Sequence, residues 1–230
     1  MNHIDFMATA QVAERLGITQ VSVRQLIASG QLAVVSRVGR SILIDRSSVE
    51  RLAAIGTRRG RAWTARIAWA ALALLSGQNP TWISASEEWR LKKRLSTLDA
   101  KAVSVLARNK DHTFRYRATP DALLALSDYL IASGATAMRD EATAETFGMT
   151  GGSGIAEGYV MAGDAHALAN SFGLVQDPEG NAIIHEVELE EPFTGGTAPV
   201  AAVAVDLMGS LATRERSAGQ RVIEELLRAR

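Results

Sequence analysis

The apolar positions between residues 9 and 55 change their period twice. Val12, Ala13 and Leu16 recur at helical spacing, and Thr9 stands where an N-cap is needed for a helix over Ala10–Leu16. Gly17 follows as the permissive residue just past a helix end. Thr19 opens a second helix, from Gln20 to Ser29, whose Val23, Leu26 and Ile27 face inward and which stops at Gly30. Beyond it the period shortens: Leu32–Val35, a basic turn through Arg37, Gly39 and Arg40, then Ser41–Asp45 read as strand, turn and strand. Ser47 and Ser48 cap a further helix to Ile55 that buries Val49, Leu52 and Ala53. Two short helices joined by Gly-apolar-Thr and followed by a hairpin predict a winged helix-turn-helix over residues 1–56.

The pattern then stays helical through residues 57–111. After the basic hinge Thr57-Arg58-Arg59-Gly60-Arg61, a helix from Trp63 to Leu75 carries Trp63, Ile67, Ala70 and Leu74 on one stripe. Ser84 and Glu87 form a capping box for a long helix reaching about Arg108. On it Leu91, Leu95, Leu98, Ala102 and Val105 make a heptad seam, suited to an intrachain hairpin or to a homodimer contact. Residues 112–230 alternate: strands over 112–118, 155–161 and 182–189, and helices over Pro120–Ile131, Asp164–Phe172, Pro199–Leu211 and from Thr213 onward. The expected fold class is α+β: a winged helix-turn-helix, a helical linker and a mixed carboxyl-terminal domain.

Charge sharpens this division. The 230-residue chain is neutral overall, but residues 1–118 hold 19 Lys and Arg against 8 Asp and Glu, while residues 119–230 hold 6 against 17. The halves therefore carry +11 and −11, which suits separate partners: phosphate backbones for the first, a protein for the second. The chain has no cysteine, so disulfides, thiol nucleophiles and thiolate metal sites are excluded. Met1–Asp5 lacks a basic segment leading into an apolar one, and the greasiest run, Ile67–Leu75, is half a bilayer span. A soluble, cytoplasmic protein without membrane contact is expected.

The segment TAQVAERLGITQVSVRQLIASGQLAVVSRVGRSILIDRSSVERL, Thr9 to Leu52, resembles the excisionase and MerR-like winged helix-turn-helix family. The shared pattern is L-G-[VI]-[ST], an [ST]-V-R-x-L-I helix, G-x-L and an R-x-G-R wing. The family often has a basic residue where Gln20 stands. The resemblance implies binding of double-stranded DNA, with Thr19, Gln20, Ser22, Arg24 and Gln25 toward the major groove. Arg37 and Arg40 would hold backbone from the wing, and Arg58 and Arg59 would reach it from the hinge.

The carboxyl-terminal half matches no catalytic template. Gly151–Gly154 with Ser153 and Asp164 suggests a nucleotidyltransferase opening, but His166 stands where the second metal-binding carboxylate belongs. No Gly-Lys-[Ser/Thr] follows the glycines. His112, His166 and His185 are too far apart for a local zinc motif, and Glu186, Glu188, Glu190 and Glu191 read as a solvated face. Asp206, alone in an apolar helix, is expected to pair with Arg214 or Arg216. No enzyme, cofactor or metal site is predicted.

A second resemblance covers most of residues 112–230. Gly180-Asn181 ahead of a strand, Asp206-Leu207, and Arg214 with Arg216 look like the carboxyl-terminal domain of AbiEi-type antitoxins. Those accompany nucleotidyltransferase toxins; in this chain the winged unit is of the MerR/excisionase kind instead. The resemblance implies an autorepressing antitoxin that binds its own promoter and holds a toxin through the acidic half. The alternative is a stand-alone regulator or an excisionase-type directionality factor of a mobile element, without a toxin.

Overall fold

The computed structural model describes residues 6–28, 31–39, 41–55, 62–150 and 154–230. The chain divides into two units, residues 1–59 and 60–230.

The first unit begins with a strand absent from the sequence expectation, β1 (Phe6–Ala8), followed by α1 (Thr9–Leu16) and α2 (Gln20–Ala28). The hairpin is β2 (Val34–Val38) and β3 (Ser41–Asp45), and α3 (Arg46–Ile55) closes the unit. The sheet order is β1-β3-β2, antiparallel throughout. Val38 pairs with Ser41, and Gly39 follows Val38 at φ 59°, a conformation glycine adopts without steric cost. Val12, Leu16, Val23, Leu32, Ile44, Val49 and Leu52 form the core, with Met7 from β1.

Two caps differ from the sequence reading. Helix α1 starts one residue early, and the Gln11 side chain accepts from the Ala8 amide at its entrance. Helix α3 is capped by Asp45 rather than by its serines: the buried carboxylate accepts from the Ser48 amide at 2.7 Å and the Ser47 hydroxyl at 2.5 Å. A carboxylate accepts where a serine would, and its charge suits the positive helix start.

In the second unit the helices come first: α4 (Ala65–Leu75), α5 (Ala85–Leu95) and α6 (Ala100–Leu106). The long helix expected to Arg108 is broken after Leu95, where Asp99 caps a new start by accepting from the Ala102 amide. Leu91, Leu95 and Val105 of the seam are buried within this same unit. Strand β4 (His112–Arg117) and α7 (Pro120–Ser127) lead to the two-residue β5 (Ile131–Ala132). A 3-10 turn over Gly134–Arg139 and α8 (Glu141–Phe147) then precede β6 (Ala156–Met161). Next come α9 (Asp164–Ser171), the short β7 (Val175–Gln176), β8 (Ala182–Val187), α10 (Val200–Met208) and α11 (Thr213–Arg228).

The sheet runs β5-β6-β8-β4-β7, with β6 and β8 parallel and the other pairs antiparallel. Side chains alternate along β8, so the sheet serves two cores. Ala182 and Ile184 pack with Leu123, Leu126, Ala165 and Ala169 of α7 and α9. Val187 faces the larger core of α4, α10 and α11, where Trp69 packs edge-on against Tyr159 and Phe193. Helices α10 and α11 approach closely at Gly219, where an added Cβ would lie 2.4 Å from the Ala204 carbonyl oxygen. The fold is α+β, and the helices of residues 62–106 share the core of the carboxyl-terminal half.

Candidate nucleic-acid interface and a buried ionic cluster

Helix α2 is anchored by Val23, with Leu26 and Ile27 half-buried beside it, which leaves its opposite face to solvent. Its start is fixed by Thr19, whose Oγ1 accepts from the Ser22 amide at 3.1 Å and lies 2.9 Å from the Ser22 hydroxyl. These two residues hold the first turn. Gln20, Val21, Arg24 and Gln25 stand exposed on the outer face.

The arginines of this unit fall into two kinds. Arg15 is committed to Glu50 at 2.5 Å, and Arg51 reaches Ser47 and Asp45. The Arg15 pairing lowers the Glu50 carboxyl from its ordinary value, chiefly through the hydrogen bond that Arg15 donates. Arg24 on α2 and Arg37 on β2 have no hydrogen-bond or ion-pair partner for their side chains among the described residues. The same holds for the Gln20 and Gln25 amides. Unpaired guanidinium and amide groups on a helix and an adjoining hairpin can donate to base edges and phosphates. Arg40, Arg58 and Arg59 lie outside the described residues, as do residues 151–153 of the glycine-rich segment.

Sequence reasoning missed the second unit's main polar feature. Lys110, between α6 and β4, is buried with its Nζ 2.8 Å from Asp206 Oδ1 and bonded to Asp111 Oδ2. The second Asp206 oxygen accepts from the Ser133 and Tyr159 hydroxyls, each at 2.5 Å. His185 lies between carboxylates: Nδ1 is 3.3 Å from Asp111 and Nε2 is 3.2 Å from Glu157, while Thr113 Oγ1 is 3.0 Å from Nδ1. Burial opposes charge on Lys110 and His185, but Asp111 and Asp206 outweigh it. The lysine rises well above its ordinary value and the histidine to about 10. Burial likewise opposes the Asp111 charge, yet Lys110 and His185 hold that carboxyl well below its ordinary value.

The expected pairing of Asp206 with Arg214 or Arg216 is thus corrected. Arg216 instead donates to the Ser210 and Leu211 carbonyls and to the Thr213 hydroxyl, at the start of α11. Asp206 faces inward from α10, where it meets the Lys110 ammonium from the α6–β4 link, the Ser133 hydroxyl ahead of the 3-10 turn and the Tyr159 hydroxyl of β6. Asp111, His185 and Asp206 have ligand atoms within 4.8 Å of one another, spacing that fits a cation. The Lys110 ammonium supplies that cation from the chain itself. Glu186 is also occupied: its carboxylate accepts from the Gly163 and Ala165 amides at the start of α9. Glu188, Glu190 and Glu191 remain exposed around an open depression beside Met161. No helix among the described residues is long and apolar enough to cross a membrane.

Residues 6–54 match a family model described as a helix-turn-helix domain, which spans about a fifth of the chain. No curated protein and no solved structure matches. Helices α1 and α2, the tight turn between them and the family match agree. Residues 6–54 form a helix-turn-helix DNA-binding domain.

Proposed function

We propose that this protein is a transcriptional repressor of its own promoter and the antitoxin of a toxin–antitoxin pair, without catalytic activity of its own. The observation that carries the DNA-binding part is the contrast among the arginines. Arg15 and Arg51 are committed within the fold, whereas Arg24 and Arg37 are left free on the recognition helix and the hairpin. Gln20 and Gln25 add base-reading amides, and Arg40, Arg58 and Arg59 add backbone contacts.

The antitoxin part rests on the acidic second half and on its likeness to AbiEi-type domains. The residues that carry this likeness have roles in the fold: Asp206 neutralises Lys110, and the Asn181 amide spans the Ala118 backbone, accepting at 2.8 Å and donating at 3.1 Å. Partner contact therefore falls to exposed acids such as Glu188, Glu190 and Glu191, which suit a nucleotidyltransferase-like toxin with a basic surface.

Two measurements test this. The purified protein is titrated against its own promoter DNA across a salt series, and steep salt dependence is expected. The protein, or residues 60–230 alone, is co-expressed with the adjacent open reading frame. Growth rescue and co-purification support the antitoxin reading. Promoter binding beside a neighbouring integrase, with no rescue, would replace it by a directionality factor.

A further inference from the structure

Among the exposed apolar residues of the first unit, Phe6, Val21 and Val38, Val21 is the one on the outer face of α2. It is the second residue of α2 and is 62% exposed, while the core-facing residue two positions on, Val23, is fully buried. A β-branched side chain in the first turn of an exposed helical face lowers helix propensity, and here most of it stays in solvent. An alanine, glutamate or lysine would serve the helix better.

Its neighbours give the position meaning. Arg24 and Gln25 stand three and four residues further on, so the three side chains form one patch. The other two members belong to the polar groups with no side-chain partner among the described residues. The Thr19–Ser22 cap fixes where the helix begins, and so fixes Val21 in the turn that enters a groove first. In the major groove the apolar group available to such a side chain is the C5 methyl of thymine.

We propose that Val21 is a specificity-determining residue that packs on a thymine methyl, in the base pair next to those bonded by Arg24 and Gln25. The proposal rests on the DNA-binding reading above. The two unpaired polar side chains supply hydrogen-bond readout. Val21 supplies a contact that distinguishes thymine from uracil and from cytosine at one position of the site, with no hydrogen bond involved.

The test uses the full chain. A preferred duplex is selected from a random library, and each thymine in it is replaced in turn by deoxyuridine, which removes only the methyl group. Wild type is expected to lose about fourfold in affinity at one thymine for each copy of α2 bound, the worth of one buried methyl. Val21→Ala is expected to bind the parent duplex correspondingly less tightly and to be indifferent to deoxyuridine at that same position. Because the residue is exposed and alanine favours helix, the circular dichroism of the variant should match wild type. Indifference of wild type to every replacement, or an undiminished penalty in Val21→Ala, overturns the assignment while leaving DNA binding intact. Failure to select any duplex overturns the DNA-binding reading itself, and this inference with it.

Discussion

Lys110 and Asp206 meet at 2.8 Å in the interior of the second unit, although one lies in the link between α6 and β4 and the other sits inside an apolar helix far along the chain. Each satisfies the other's charge, and neither reaches water. Removing one partner leaves a buried, uncompensated charge, which costs about 3–5 kcal/mol. Lys110→Met is therefore expected to lower the unfolding free energy of residues 60–230 by about that amount in urea titrations, and Asp206→Asn by a comparable one. A loss below about 1 kcal/mol for both would show the pair to be dispensable.

The same cluster sets a pH dependence. His185 has its pKa raised to about 10 by Asp111, Asp206 and Glu157 against the opposing effect of burial. Its contribution to stability is complete below the ordinary histidine value near 6.5 and is lost as pH climbs through 10. Asp111 acts in the opposite sense: held below its ordinary value, it stabilises above about 3.8 and ceases to do so on acidification. Melting temperature should peak between about pH 4 and 6.5 and fall toward pH 10. His185→Gln should be less stable at pH 6 and show a flatter alkaline slope; an unchanged slope would exclude His185 as its source.

At the DNA surface two arginines should behave differently. Arg24→Ala is expected to cost about 1–3 kcal/mol at one base pair and to relax preference there. Arg37→Ala should weaken all duplexes alike and reduce the salt slope by about 0.9 for each phosphate that the guanidinium neutralises. Binding titrations of selected and scrambled duplexes at several salt concentrations separate the two, and equal losses on both duplexes for Arg24→Ala would remove it from base readout.

Gly219 fixes how closely α11 approaches α10. A Cβ there would lie 2.4 Å from the Ala204 carbonyl oxygen and 3.1 Å from Leu207 Cβ. Gly219→Ala should destabilise the second unit by about 1–3 kcal/mol in spite of alanine's better helix propensity. Thermal melts that rise on this substitution would mean that the two helices separate at little cost.

The first unit is largely legible in the sequence because its signals are local. Gly17, Thr19 and the period-two residues of the hairpin each act within a few positions, and α1, α2, β3 and α3 lie close to their expected places. The first hairpin strand, expected over Leu32–Val35, instead runs Val34–Val38 and takes Arg37 out of the turn into a pair with Ile42. What stays hidden depends on distant partners. Strand β1 is three residues long and gains its identity by pairing with β3. Asp45 reads as a strand residue until the fold buries it beneath α3. The long helix to Arg108 looks continuous because its seam is regular, yet Asp99 offers a stronger local cap than continuation does. Lys110, Asp111, His185 and Asp206 are scattered through the sequence without a motif, and a lone acid in an apolar helix gives no sign of which cation it will meet.

The charged centre also has a kinetic side. Its members come from five places: the α6–β4 junction, the residue before the 3-10 turn, β6, β8 and α10. Without α10 the ammonium is short of one of its two carboxylates, and the Ser133 and Tyr159 hydroxyls lose the oxygen that accepts from both. A half-closed intermediate would have to keep this region wet. The unit is therefore expected to commit late and all at once, when α10 docks, and the surroundings of Trp69 should change in that same step. During synthesis the DNA-binding unit, whose pairings lie within residues 6–55, is complete long before α10 has been made. The nascent chain would thus carry a finished helix-turn-helix unit ahead of the domain proposed to restrain a toxin.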